Sequence, residues 1–285
     1  DFEVIVVNNG STDDTRKVLT DLQKKLKGIS VSVLYERRLG RSWAFKKGVS
    51  AARYSKIVSD ISIRPDFLQQ YKRCFRQYPH AAVIGGRIRA VSLGEASNYL
   101  KLLIIFFPWI FGEVNHGSKT RELEYPNVVF AGNMVMNRDV IGEESFSNRL
   151  GRKVGSAYLY GEDFEFVLRM LLQHRVVVYC PEAVVKNSVE TVRSTFKYLL
   201  RRVFYSGVER YIVNKLLRKY NRGSVPIEKL DIQLSTIVNS IKYELLLLRV
   251  FLRTVQKVGY YLAPLLLFFA PPYEVISEES ASSLG

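Results

Sequence analysis

The chain has 285 residues, with 42 lysines and arginines against 27 aspartates and glutamates, for a formal net charge of +15. Hydrophobic residues make up 47% and charged residues 24%, which excludes wholesale disorder, a collagen-like repeat and a disulfide-stapled miniprotein. The excess charge calls for a polyanionic partner, whether nucleic acid, anionic lipid or a phosphate-rich small molecule, and composition does not choose among them.

The chain opens on Phe2-Glu3-Val4-Ile5-Val6-Val7, an apolar run that predicts a buried strand over 3–8. So abrupt a start leads us to expect a further N-terminal piece. A helix is expected over 12–28, a strand over 31–35 and a helix over 42–53. A strand over 56–60 follows, then a helix from Pro65 and a strand over 82–90. This alternation predicts an α/β fold, a mostly parallel sheet flanked by helices. Ligands of such sheets bind at the carboxyl ends of the strands.

Two stretches, 102–112 and 258–273, are uncharged but interrupted by prolines, and each is shorter than the roughly 20 residues needed to cross a bilayer. Between them, 193–222 holds nine basic residues against Glu209 alone, interleaved with Phe196, Phe204 and Tyr205 at helical spacing. No RNP, KH or zinc-finger pattern accompanies it, so an anionic membrane or lipid diphosphate suits it better than nucleic acid. A further helix is expected over 234–257. It would place Ile237, Ile241, Leu245, Leu248, Leu252 and Val255 on one side and Lys242, Arg249, Arg253 and Lys257 opposite. This fits either an in-plane membrane anchor or a helix packed on its own domain. Cys74 and Cys180 form no CxxC pattern and read as small core residues of a reduced, cytoplasmic chain. His80, His116 and His174 form no zinc-binding pattern.

Polar residues cluster at three strand ends. Asn8 to Thr15 (NNGSTDDT) offers a tight turn at Gly10 and a capping-box pattern from Ser11 to Asp14, suited to a nucleoside or to an ordinary strand–helix turn. Asp60 ends the third strand, where a carboxylate needs a donor or a metal, or opens the next helix. Ala131-Gly132-Asn133 follows a strand. Some thirty residues on, Gly161-Glu162-Asp163 opens an apolar-periodic helix, where paired acids serve as a general base or as plain helix caps.

Taken in order, VIVVNNGSTDDT (4–15), LGRSWAFKKGVSAA (39–52), IVSDISIRPDFL (57–68), VIGGRIRA (83–90), FAGNMVMNRDVI (130–141), LYGEDFEFVLRML (159–171) and VYCPEAVVK (178–186) resemble glycosyltransferase family 2, inverting enzymes of the GT-A fold. The resemblance implies one further strand and helix ahead of Asp1. It also implies Asn8 at the nucleotide base, Asp60 at the ribose, and Ser62 where an acid usually binds Mg²⁺ or Mn²⁺, a position at which a serine is a weak ligand. Asp163 matches the catalytic base with Glu162 beside it, Asn133 the acceptor contact, and Lys186 stands in place of a common histidine. Phe45 and Lys46 replace an Arg-Asn pair. Lys186, with Arg64 or the basic segment after it, is expected to offset the diphosphate charge that a metal would otherwise balance.

The organisation expected is a glycosyltransferase domain over 1–190, a basic helical segment over 191–224 and an amphipathic tail over 225–285. The activity implied is transfer of a sugar from a nucleotide-diphosphate donor to a lipid-linked or polysaccharide acceptor at the cytoplasmic face of a membrane. One rival is a GT-A-like scaffold that binds without catalysis, and a second is a basic membrane- or nucleic-acid-binding protein with no sugar chemistry.

Overall fold

A computed structural model describes residues 2–26, 28–59, 65–92, 98–151, 159–220 and 243–269. The first half alternates as the periodicity predicts: β1 (Glu3–Asn8), α1 (Thr15–Lys25), β2 (Ser30–Tyr35), α2 (Arg41–Ala51), β3 (Lys56–Ser59), α3 (Phe67–Gln77) and β4 (Val83–Ser92). Then come α4 (Asn98–Phe106), β5 (Arg121–Glu122), β6 (Met134–Asn137), α5 (Arg138–Ile141), α6 (Glu162–Leu172), β7 (Val177–Val189), α7 (Phe196–Leu217) and α8 (Tyr243–Phe269). Asp60, Ser62 and Arg64 lie outside the described residues.

β1 and β2 pair in parallel, Asn8 opposite Tyr35. The larger sheet has the order β3-β6-β4-β7-β5. Here the mostly parallel expectation gives way to a mixed sheet. β4 and β7 run in parallel, but β6 lies antiparallel between β3 and β4, and β5 is antiparallel to β7. The strand–helix alternation that predicted parallel pairing stops before residue 100. The chain then travels past β5 at one edge and returns through β6 in the opposite direction, a reversal no local pattern encodes. The expected Ser11–Asp14 capping box is also absent. Asp14 occupies the N-cap of α1 without a side-chain bond, while Asp13 accepts from the Thr15 amide and the Ser11 amide donates to Asn8 Oδ1.

One hydrophobic core joins the central sheet to α3 and α6, around wholly buried Ile84, Met134, Phe166 and Tyr179. The apolar stretch 102–112 is explained by a second cluster, in which Leu103, Phe107, Ile110 and Phe111 pack under Leu199 and Val203 of α7 and Leu252 of α8. Among the described residues no helix is long and apolar enough to cross a membrane.

α7 and α8 pack along their length. Leu252, Gln256, Gly259 and Ala263 of α8 are buried at helical spacing. Backbones touch where they cross: a Cβ on Gly207 would lie 1.9 Å from the Gln256 carbonyl oxygen, and one on Gly259 2.0 Å from that of Phe204. Gln256 Nε2 donates to Ser206 Oγ at 2.7 Å at the same crossing. Of the predicted amphipathic faces, Leu252 is buried and Arg253 and Lys257 are exposed, while positions 237–249 lie outside the residues whose side chains are described.

Candidate active site

Two loops meet at the carboxyl ends of β1 and β2. Asn9 stitches them together: its Nδ2 donates to the carbonyls of Glu36 and Arg38 at 2.9 and 2.7 Å, and its Oδ1 accepts from the Gly40 amide at 2.8 Å. Glu36, buried, receives the Arg38 guanidinium, which holds its carboxyl below the usual range and stacks over Trp43 at 3.8 Å. Asn8, buried at the end of β1 beside these loops, has its Oδ1 taken by the Ser11 amide and its Nδ2 bonded to nothing among the described residues.

α2 leads from this loop to the acids. Phe45, at a position where the resemblance leads one to expect arginine, stacks on Phe146 with ring centroids 4.3 Å apart, and Phe146 meets Phe166 of α6 edge-on. Arg41, in the first turn of α2, reaches Glu162 Oε1 at 3.1 Å. The chain separates these two residues by 121 positions, and no pattern in the sequence links them.

Glu162 and Asp163 form the first turn of α6 and differ sharply in environment. Gly161, the N-cap, has φ 95°, a left-handed conformation in which a side chain is strained, and it turns the acids inward. Glu162 is 1% exposed, and its Oε2 has no hydrogen-bond partner among the described residues. Burial, reinforced by neighbouring Asp163, pushes its carboxyl up to about 7, against the pull of Arg41. Asp163 is half-buried, with Oδ2 accepting from the Ala131 amide at 3.0 Å and Oδ1 from the Phe164 amide at 2.8 Å. Two amide donors therefore fix the plane of its carboxylate and leave lone pairs on both oxygens.

The remaining candidates are placed apart. Asn133 is wholly buried: Nδ2 donates to the carbonyls of Arg87 and Ala183 at 2.9 and 2.6 Å, and Oδ1 accepts from Tyr71 Oη at 2.7 Å. The acceptor contact expected of Asn133 is thus corrected, because its side chain ties β4, β7 and α3 together and presents nothing to a ligand. Lys186 is exposed on β7, in register with Arg89 of β4, and makes no ion pair among the described residues. Asp60 and Ser62, expected at the ribose and the metal, fall outside the description. Among the described residues no cluster of three or more His, Cys, Asp or Glu could hold a metal. The roles of Arg41, Asn9 and Glu36 were missed by sequence reasoning; the signals were the place of Asn9 and Glu36 just after strands and of Arg41 at the start of α2.

A sequence model of glycosyl transferase family 2 matches residues 1–154, more than half of the chain. The chain belongs to that family. It is 22% identical over 228 residues, 75% of its length, to the dolichyl N-acetyl-alpha-D-glucosaminyl phosphate 3-beta-D-2,3-diacetamido-2,3-dideoxy-beta-D-glucuronosyltransferase of Methanococcus voltae, and spans 65% of that relative. Among solved structures, the mannosyltransferase PcManGT from Pyrobaculum calidifontis, in complex with GDP-Man and Mn²⁺, superposes with a TM-score of 0.53. That likeness covers 99% of this chain and 71% of the other at 14% identity. The fold is of the GT-A type expected of the family, a mixed α/β sheet flanked by helices.

Proposed function

We propose that this protein transfers a sugar from a nucleotide-diphosphate donor to a lipid-linked or glycan acceptor, with inversion at the anomeric carbon and Asp163 as general base. The observation that carries the reading is the setting of Asp163: a half-exposed carboxylate, fixed by the Ala131 and Phe164 amides at a helix N-terminus. Family membership supports it, as does the activity of the Methanococcus voltae relative. In this reading the acceptor hydroxyl attacks the anomeric carbon as its proton passes to Asp163, and the nucleoside diphosphate leaves. Asn8 and the Asn9-stitched loops hold the base. Glu162, buried behind Asp163 and tethered to Arg41, sets the position and local charge of the base, and Lys186 balances the departing diphosphate. A divalent cation, bound through the segment containing Asp60 and Ser62, would supply further charge to the leaving group.

The membrane is proposed as the site of action, at its cytoplasmic face. α8 exposes Phe251, Tyr261 and Leu265, the tyrosine 71% exposed, with Arg253 and Lys257 beside them, a combination suited to an anionic lipid surface. Both cysteines are free and buried, in keeping with a reducing compartment.

The test is a screen of UDP-, GDP- and dTDP-sugars against polyprenyl-phosphate-linked acceptors, with Mn²⁺ or with EDTA. Asp163→Asn is expected to lower turnover by a factor of about 100 or more with nucleotide binding unchanged. Full turnover in Asp163→Asn overturns the assignment, and nucleotide binding with no transfer by the unaltered protein favours a binding scaffold.

A further inference from the structure

The acids of α6 are reached from outside the nucleotide-binding half by one side chain of α7. Glu209 Oε1 accepts from the Tyr160 amide at 2.6 Å, immediately ahead of Gly161 and Glu162. Both Glu209 oxygens also accept from Arg202 Nη1 at 3.0 Å, and the Arg202 guanidinium lies over the Tyr160 ring at 4.9 Å. A Cβ built on Gly161 would meet the Glu209 side chain at 3.8 Å, so the peptide lies directly against it. This is a costly arrangement. Glu209 is buried and close enough to Asp163 to feel its charge, and a third carboxylate near an acidic pair is repulsive unless a cation accompanies it. Arg202, one side of the same helix and seven residues away, is that cation. Buried ion pairs contribute little net stability, but they fix geometry well.

The backing of this pair is equally specific. Ser206 and Gly207 lie between Arg202 and Glu209 in sequence, and they are the residues against which α8 closes, through the Gln256 bond and the backbone contact. α8 therefore supports the stretch of α7 that grips the Tyr160–Gly161 peptide.

We propose that Glu209, clamped by Arg202 and backed by α8, is a positioning residue that holds the Tyr160–Gly161 peptide and so aims Asp163 at the acceptor hydroxyl. This rests on the reading of Asp163 as the base. It adds that the C-terminal helices are a working part of the site and that whatever displaces α8 acts on turnover.

The experiment compares full-length protein with Glu209→Gln and Glu209→Ala, first by amide hydrogen exchange and then by kinetics with the donor found above. Both variants lose the charge pair, but only glutamine keeps an acceptor facing the Tyr160 amide. In Glu209→Ala the Tyr160 to Phe164 amides are expected to exchange about tenfold faster or more, with β4 unchanged, while Glu209→Gln stays within about threefold of the parent. Correspondingly, kcat falls about 10- to 100-fold in Glu209→Ala with donor KM within about threefold, and glutamine restores most of it. Equal behaviour of the two variants overturns the proposal and leaves a helix staple. So does a Tyr160 amide that exchanges at the open-chain rate in the unaltered protein, a measurement that decides the matter even if Glu209→Ala does not fold. Exchange requires no turnover, so failure to find any donor counts against the proposed function and leaves this inference separately tested.

Discussion

Glu162→Gln is the sharpest perturbation the site allows, because it removes one ionisable proton and almost no volume. The Glu162 carboxyl is raised from 4.5 to about 7 by burial and by Asp163. Between those two pH values the unfolded chain has released its proton and the folded chain retains it. Stability therefore falls as pH rises through that window and levels off above about 7. At about 1.4 kcal/mol per pH unit, the gap between the two values amounts to about 3 kcal/mol lost by pH 8. Glutamine loses nothing over the same range. It gives up only the Arg41 ion pair, whose arginine is 38% exposed and whose contribution is at most about 1 kcal/mol. At pH 5 protein and variant are nearly equivalent, each presenting one unpaired buried donor where Oε2 lies. The raised carboxyls of Glu165 and Glu209 are present in both proteins, so most of their own pH dependence drops out of the difference. Urea unfolding at pH 5 and pH 8 is the assay. The variant is expected to match the parent at pH 5 and exceed it by about 2–3 kcal/mol at pH 8. The same stability difference at both pH values, within about 0.5 kcal/mol, refutes the argument, since Glu162 would then hold no proton that the unfolded chain has lost.

Two further outcomes test the packing. Asn133→Ala leaves the Arg87 and Ala183 carbonyls without their shared donor, and is expected to cost about 3–5 kcal/mol by urea unfolding; a loss under about 1 kcal/mol refutes the bridging role. Gly207→Val forces a side chain to within 1.9 Å of the Gln256 carbonyl, so it must push α8 away. Limited proteolysis is expected to cut within α8 faster than in the parent, and unchanged cleavage refutes the close crossing.

Much of this molecule could be read before its structure. The strands at β1 to β4 and the helices between them follow from alternating apolar periods and fall within a few residues of the expected limits, because each depends on neighbours close in sequence. The two acids at the start of α6 were legible for the same reason, a glycine followed by carboxylates ahead of a helical period. The mixed pairing of the sheet was not, because β6 takes its direction from a return path through residues 121–133 rather than from its own four residues. Asn133 shows a different failure. Its position in the motif was recognisable, but whether an asparagine faces a ligand or three internal partners depends on β4, β7 and α3 arriving around it.

The positive charge divides in the same way. The sequence determined that the excess is concentrated near 193–222. It also determined that the chain is an α/β protein with a pair of acids at a helix start, since composition and local period suffice for both. The tertiary structure alone decided that Arg202 is turned inward to hold Glu209, that Arg41 meets Glu162 across 121 residues, and that Leu103, Phe107, Ile110 and Phe111 are core. The second and third of these are contacts between segments distant in the chain, and the first depends on the Tyr160 loop arriving against α7. Local propensity carries no information about such contacts, and their energy exists only once the fold has brought both partners together.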